Sequence, residues 1–154
     1  MKITLLTVGK LGRAPEAALA RDYAERATAA GRALGLGPVE IVEVESRKPG
    51  KAAEAEVLLP HLEGAHVIAC DEHGTQRASR YFATQIAKLR DDGVRRLTLV
   101  IGGADGLDPK VIAAANGTLA FGPQTWPHAL VRAMLAEQVY RAVTILSGSP
   151  YHRD

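Results

Sequence analysis

Apolar residues along this chain form two alternating patterns, short continuous runs and longer segments in which they recur every third or fourth position. The short runs predict five strands, at Lys2–Val8, Val39–Val44, Ala65–Cys70, Leu97–Ile101 and Thr118–Phe121. Runs with so few polar residues are typical of strands covered on both faces of a parallel sheet. The second run differs, because it alternates apolar and acidic residues as a half-buried strand does.

The longer segments predict five helices, at Pro15–Ala33, Ala52–Leu62 with a break near Pro60, Arg80–Arg90, Pro109–Ala115 and Ala129–Leu146. Proline favours the first and fourth starts, and Ser79 is positioned to cap the third helix. The predicted buried faces carry Leu19, Tyr23, Ala27 and Ala30 on the first helix, and Val131, Leu135, Val139 and Val143 on the last. Strands that alternate with helices predict a single-domain α/β fold, a mostly parallel sheet with helices on both faces.

The fourth strand runs directly into a glycine-rich turn. Gly102, Gly103 and Gly106 follow Ile101 within five positions, which allows a sharp turn, positive φ and close approach of another molecule to the backbone. Ligands in open α/β sheets sit at the carboxyl ends of strands. The turn is therefore a candidate binding loop, with a plain strand-to-helix connection as the alternative.

Two other loops carry charge. The third strand ends in Asp71–Gly74, which is either a binding edge or the approach to the next helix. The loop Ser46–Lys51 holds three cations among proline and glycine, and is either solvated surface or an arm that contacts phosphates. Gly9–Arg13 is a shorter basic turn after the first strand.

Composition narrows the class of protein. The 154 residues, 47% hydrophobic and 23% charged, suit one globular domain. No apolar stretch approaches the roughly 20 residues of a membrane span, and Met1–Lys10 does not resemble a signal peptide, so we expect a cytoplasmic protein without a membrane segment. Cys70 is the only cysteine, which excludes an internal disulfide. The charge is nearly balanced, with 19 basic and 17 acidic side chains. Any nucleic acid would therefore be bound by local basic patches and not by the net charge of the protein.

The sequence lacks the motifs of several common kinds of enzyme. The chain contains neither a phosphate-binding G-x-x-x-x-G-K-[ST] loop nor a G-x-G-x-x-G dinucleotide fingerprint. The five histidines have no metal-ligand spacing, so we expect no metal. No G-x-S-x-G elbow supplies a serine nucleophile, and Cys70 at the end of a buried strand is typical of a core residue. If the protein is an enzyme, we therefore expect a reaction that needs neither a metal nor a covalent nucleophile.

Four segments carry a resemblance to a known family: Leu99–Leu107 (LVIGGADGL), Trp126–Arg132 (WPHALVR), Glu137–Ala142 (EQVYRA) and Ser149–Asp154 (SPYHRD). In this order the chain resembles the SPOUT (α/β-knot) methyltransferases. It is most similar to the small single-domain RlmH family, which methylates N3 of a pseudouridine in 23S ribosomal RNA. The match extends from Met1-Lys-Ile through Arg47–Lys51 to the last residue.

The resemblance implies a homodimer that acts on ribosomal RNA in assembled ribosomes. It also implies a C-terminal trefoil knot that binds S-adenosylmethionine. The family's cofactor contacts fall on Cys70, Asp71 and Gly103 and on the loop residues Gly122, Pro123, Gln124, Thr125, Trp126 and Pro127. Cys70 replaces the usual leucine, and Pro123 and Gln124 are not typical of the family, so main-chain contacts carry over better than side-chain roles.

Methyl transfer from a sulfonium is a direct displacement, for which the protein aligns the reactants, excludes water and helps to remove the imide proton. The resemblance makes Tyr151, His152 and Arg153 the catalytic candidates, because imidazole can accept a proton near neutral pH and arginine can hold a phosphate. His128 or Asp71 is the alternative base. Two other functions stay open, a SPOUT enzyme for another RNA and a non-catalytic module that binds ribosomes.

Overall fold

The computed structural model describes residues 1–154 and contains one five-stranded sheet. Its strands are β1 (Lys2–Val8), β2 (Val39–Val44), β3 (His66–Cys70), β4 (Arg96–Ile101) and β5 (Gly117–Leu119). They lie in the order β2-β1-β4-β3-β5, and every neighbouring pair is parallel. The predicted parallel sheet is confirmed, and each strand boundary lies within two residues of its prediction.

Each strand is followed by a helix: α1 (Pro15–Gly31), α2 (Lys51–Leu58), α3 (Ser79–Asp91), α4 (Pro109–Ala114) and α5 (His128–Ser147). Short 3-10 turns extend α1 through Leu34 and α2 through Leu62. Helices α1, α3 and α5 cover one face of the sheet, and α2 and α4 cover the other. None of the helices combines the length and the apolar character that crossing a bilayer requires.

The central strands contribute to two separate cores. In β1, Ile3 and Leu5 point toward α1, α3 and α5, whereas Leu6 and Val8 point toward α2 and α4. Alternate side chains of a strand leave opposite faces of the sheet, so both sets are buried at once. This double burial explains why the run has no polar alternation.

The helix starts agree with the sequence in two cases and differ in one. Pro15 and Pro109 occupy first helical positions, and the Asp108 carboxylate accepts the Lys110 N–H at 2.8 Å. The prediction that Ser79 caps α3 is wrong, because the cap position is Ala78. The Ser79 hydroxyl instead donates to Gln138 Oε1 on α5 at 2.8 Å, which joins the two helices.

The predicted buried face of α1 is also wrong in part. Leu19 is 45% exposed, and the buried positions are small residues: Ala17, Ala20, Ala24, Ala27 and Gly31. Side chains of this size let the helix backbone approach α5 and the sheet closely, so the alanine stripe turns inward and the larger Leu19 outward. Ala27 alone of the predicted set is fully buried.

Candidate functional site

A cavity of about 750 Å³ opens at the carboxyl edge of the sheet, where β3, β4 and β5 end. Its walls are the turn after β3, the glycine-rich turn after β4, the loop after β5 and the first turn of α5. This volume lies within the range of about 300–1,000 Å³ that is usual for small-molecule sites. The three strands therefore bring together loops that are far apart in sequence.

The glycine-rich turn folds tightly on itself. Only Gly106 has positive φ, at +78°, so only there is the left-handed backbone needed. A Cβ at Gly102 would lie 2.5 Å from the Gly106 carbonyl carbon, which makes Gly102 necessary for the close approach within the turn. The Gly103 N–H donates to Glu54 Oε2 of α2 at 3.3 Å. The turn is thus held by its own close packing and by Glu54, and it forms part of the cavity wall.

The turn after β3 forms the opposite wall. Asp71, Glu72 and His73 line the cavity, and α3 begins only at Ser79. Asp71–Gly74 therefore does not cap α3, and the binding edge stays a prediction. The Asp71 carboxylate accepts the His73 N–H at 3.0 Å, and Glu72 accepts the Thr125 hydroxyl at 2.9 Å. Asp105 also lines the cavity, and together these carboxylates make a rim that attracts a cationic ligand.

Cys70 lies at the end of β3 and lines the same cavity. Burial, reinforced by the charge of Asp71, raises the pKa of the Cys70 thiol to about 12. The thiol is therefore protonated near neutral pH. Because nucleophilic attack requires the thiolate, Cys70 only forms part of the cavity wall. No group of three His, Cys, Asp or Glu side chains is arranged to hold a metal ion.

The loop after β5 contributes four of its six predicted residues to the cavity, Gln124, Thr125, Trp126 and Pro127. Gly122 faces a neighbouring groove between β5, α3 and α5, and Pro123 is exposed. The indole N–H of Trp126 donates to the Phe121 carbonyl at 3.0 Å, and the ring is 37% exposed. The indole is thus fixed at the mouth, where it can shield a ligand from water.

The C-terminal tail lies apart from the cavity. It folds back along α5, where the Tyr151 hydroxyl donates to Glu137 Oε1 at 3.0 Å and His152 Nδ1 is 3.1 Å from an Arg141 nitrogen. The rise of α5 places Glu137 about 13 Å beyond the cavity-lining His128. The tail therefore brings its three catalytic candidates together, Tyr151, His152 and Arg153. None of them lines the cavity of its own chain.

In the docked tail, the side chains of His152 and Tyr151, which are catalytic candidates, are already engaged in hydrogen bonds. Arginine can only donate, so a neutral His152 accepts at Nδ1 and carries its proton on Nε2, which faces the Asp154 carboxylate at 3.2 Å. Burial, followed by hydrogen bonds with Tyr23 and Glu137, raises the pKa of Tyr151. The alternative bases His128 and Asp71, in contrast, both line the cavity.

The sequence did not single out the cavity residues Ile112 and Phe121, and it marked Lys51 only as part of the basic loop Ser46–Lys51 and not as a residue of this cavity. Lys51 begins α2 and reaches the cavity from the basic loop after β2. The signal that could have found it is its place after a strand, because every loop at the carboxyl edge is a candidate for the same site.

Comparison with known sequences gives one consistent result. A family model described as a predicted SPOUT methyltransferase matches residues 1–152. Proteins named ribosomal RNA large subunit methyltransferase H are similar over the whole chain. Those of Caulobacter sp. (strain K31) and Caulobacter vibrioides are 79% and 76% identical, with 100% and 99% of their own length covered.

Solved structures agree at the level of the fold. A probable methyltransferase from Bordetella pertussis Tohama I aligns with a TM-score of 0.54 and 17% identity, covering 92% of this chain and 96% of that one. A probable methylase family protein from Haemophilus influenzae Rd KW20 aligns with a TM-score of 0.56 and 12% identity, covering 99% of this chain and 70% of that one.

Proposed function

This chain belongs to the SPOUT methyltransferase family, and from that premise we propose that it methylates N3 of a pseudouridine in 23S ribosomal RNA, with S-adenosylmethionine as the methyl donor. The observation that carries the proposal is the cavity at the carboxyl edge, which gathers seven of the nine predicted cofactor positions. The full-length relatives named for large-subunit ribosomal RNA methylation support the choice of RNA.

The cavity suits the cofactor in shape and charge. Ile101, Leu107 and Leu119 provide apolar walls, while the turn after β4 presents main-chain groups with little side-chain cover. The carboxylate rim favours a sulfonium. When bound, S-adenosylmethionine supplies a methyl group that is activated for displacement. The segments 102–107 and 124–127 line one cavity, as expected if their loops are the crossing segments of a trefoil knot.

The residues of the tail supply the remaining chemistry in this proposal. His152, once released from Arg141, accepts the imide proton of the pseudouridine, and Arg153 holds a phosphate of the RNA. Tyr151 positions the two by packing on Tyr140, with ring centroids 4.7 Å apart. Trp126 excludes water from the mouth, which strengthens the electrostatic interactions inside.

We further propose a homodimer in which each cavity receives the tail of the second protomer. The support is geometric: the tail of the same chain lies along the far half of α5, so it meets its own cavity only after losing its contacts with Glu137 and Arg141. A second copy offers another tail, which can keep its Tyr151–Glu137 contact while only His152 leaves Arg141. Action on assembled ribosomes would place the dimer in the cytoplasm.

The test is transfer of tritiated methyl groups from S-adenosylmethionine to ribosomes from a strain that lacks this modification, followed by mass spectrometry of the RNA. We expect one methyl group, on a pseudouridine of 23S RNA. Label on another RNA would favour the alternative SPOUT enzyme. Ribosome binding without cofactor affinity or methyl transfer would favour the non-catalytic module, although such a module has no use for a cavity of this size.

A further inference from the structure

The loops after β1 and β2 leave the sheet side by side, at the same edge as the cavity. Val8 pairs with Val44 at the ends of the two strands, and the Gly9 N–H donates to the Val44 carbonyl at 2.8 Å. These loops carry five exposed cations, which we call the basic edge surface: Lys10, Arg13, Arg47, Lys48 and Lys51. Two basic sequences that are 30 residues apart thus become one surface.

The charge of this surface is almost uncompensated. Glu45 is the only carboxylate in the segments 9–14 and 45–51, and it lies 3.8 Å from Lys10. The other four cations form no ion pair within 4.0 Å. The whole chain has a formal net charge of only +2, so the rest of the molecule is net negative. Positive charge is therefore concentrated at this place.

The basic edge surface has a fixed position relative to the cavity. Arg132, which is 2% exposed, donates to the Gly9 carbonyl at 3.1 Å and to Glu43 at 2.6 Å. Its neighbour Val131 lines the cavity, and Lys51 does so directly. The same ion pair neutralises Glu43, so this carboxylate does not cancel the surface charge.

The sign of charge changes across the mouth. The basic edge surface lies on the β1 and β2 side, and Asp71 and Glu72, which follow β3, lie on the other. The large exposed apolar side chains, Leu19, Tyr81 and Trp126, all lie outside these loops, so the surface lacks the aromatic or apolar centre that is typical of a protein interface. Exposed cations without large exposed apolar neighbours are suited to phosphates.

We propose that the basic edge surface docks the phosphate backbone of the substrate RNA, so that the base to be methylated is presented to the adjacent cavity. This inference rests on the proposed function for the identity of the RNA. Phosphate contacts position a nucleic acid without reading its sequence. The acidic side of the mouth repels the backbone, so the RNA can approach the cavity in only one orientation.

The test compares two double variants that remove the same charge. Arg47→Ala/Lys48→Ala removes two cations from the basic edge surface. Arg32→Ala/Arg95→Ala removes two exposed arginines, also without ion pairs, from the opposite edge. The affinity of full-length protein for a 23S RNA fragment is measured at several salt concentrations, together with S-adenosylmethionine affinity and the KM and kcat for ribosomes.

We expect the first double variant to bind RNA about tenfold more weakly at low salt. Its slope of log K against log salt should fall by about 1.4–1.8, since each phosphate contact contributes about 0.7–0.9. KM for ribosomes should rise while kcat and cofactor affinity stay within twofold. The opposite-edge variant should match the wild type. The pair Arg47→Lys/Lys48→Arg keeps both charges and should also bind like the wild type.

Equal RNA affinity and equal salt slope in the two alanine variants would overturn the proposal, as would an equal loss in the charge-preserving pair. These outcomes are separate from the fate of the proposed function. If the wild type methylates ribosomes and the first variant does so with unchanged KM, the function stands and the surface is wrong. If the wild type methylates no ribosome, the function fails, and the salt slopes still decide whether this surface binds RNA.

Discussion

A Cβ atom added at Gly103 would lie 2.6 Å from Glu54 Oε1, far inside van der Waals contact. The backbone of Gly103 does not have positive φ, so steric conflict with Glu54 is the main obstacle to a side chain there. Glu54 also accepts the Gly103 N–H. The absence of a side chain at 103 therefore allows α2 to hold the turn that forms one cavity wall.

Replacing Gly103 with Val should weaken S-adenosylmethionine binding at least tenfold, about 1.4 kcal/mol. The branched side chain must displace Glu54 or occupy the cavity, and either change disturbs the wall. Calorimetry with the donor measures the loss, and circular dichroism checks the fold. Glu54→Ala separates the causes: normal affinity in that variant means that the valine blocks the ligand, and a matching loss means that Glu54 positions the turn. Full affinity in a folded Gly103→Val variant would contradict the cofactor placement.

Arg132 is the most buried charged side chain of the protein, and its ion pair with Glu43 joins α5 to the edge strand β2. Burial opposes ionisation of Glu43, but the Leu11 N–H at 3.0 Å and the Arg132 guanidinium outweigh it, so the pKa of Glu43 lies below its usual value. Arg132 also donates to the Val8 and Gly9 carbonyls. One side chain thus links three segments.

Arg132→Ala should lower the free energy of unfolding by about 2–3 kcal/mol, because it leaves buried carbonyls without donors and Glu43 without its partner. Urea unfolding measures the change. Arg26→Ala, which removes an exposed arginine paired with Asp22 on α1, should cost less than about 0.5 kcal/mol. A comparable loss in the two variants would show that burial of Arg132 does not matter.

The same pair predicts a pH dependence. A carboxylate whose pKa is lowered in the folded state stabilises the protein above its unfolded pKa, and that contribution is lost as pH falls through the folded value. The stability difference between wild type and Glu43→Gln should therefore be constant at neutral pH and shrink below the ordinary glutamate value of 4.5. A difference that is unchanged down to pH 3 would contradict the lowered pKa.

Leu135 tests the role of α5. It is 0% exposed within a single protomer, so an aspartate there should unfold the chain rather than release folded monomers. Leu135→Ala should cost about 2–5 kcal/mol, measured by urea unfolding. Leu19→Asp, at an exposed leucine of α1, should leave the free energy of unfolding within about 0.5 kcal/mol. A soluble, folded Leu135→Asp protein in light scattering would show that this position is not core.

The parts that could be predicted are those that depend on local chemistry. The continuous apolar run of β1 and the prolines at 15 and 109 specify their elements through periodicity and φ, and the structure confirms them. The inward alanine face of α1 is not predictable in this way, because side-chain size favours Leu19 as the buried residue, whereas close helix packing favours the smallest residues. Local sequence predicts Ser79 as a cap because its actual partner, Gln138, lies 59 positions away in the chain.

The candidate site also has features that the sequence predicts and features that it does not. Loops after β3, β4 and β5 could be placed together because strand ends in a parallel sheet share an edge. A knot could not be inferred from periodicity, since threaded chains are rare and leave no local pattern. The position of the tail depends on contacts of Tyr151 and His152 with α5 that spacing alone does not indicate.

The tail should separate binding from catalysis. Deleting Pro150–Asp154 should leave the fold and the S-adenosylmethionine affinity within a few-fold, because no tail residue lines the cavity of its own chain, while methylation of ribosomes collapses. His152→Ala should lower kcat by about 10²–10⁴-fold if its imidazole is the base. Arg153→Ala should raise KM, and the loss should shrink as salt increases because the lost contact is electrostatic. Full activity of the truncated protein would move the base to His128 or Asp71.

Mixed dimers decide which protomer supplies the tail. The Gly103→Val protein has a damaged cavity and an intact tail, and the His152→Ala protein has the reverse. With S-adenosylmethionine kept below the wild-type Kd, each alone should therefore have at most about a tenth of the wild-type rate. When the two are co-expressed with different tags, half of the dimers combine them, and one of their two sites pairs an intact cavity with an intact tail. If the tail acts across the dimer, the mixture should recover about a quarter of the wild-type rate. If the tail serves its own cavity, no site in a mixed dimer has both intact parts, and the mixture should be as inactive as its components.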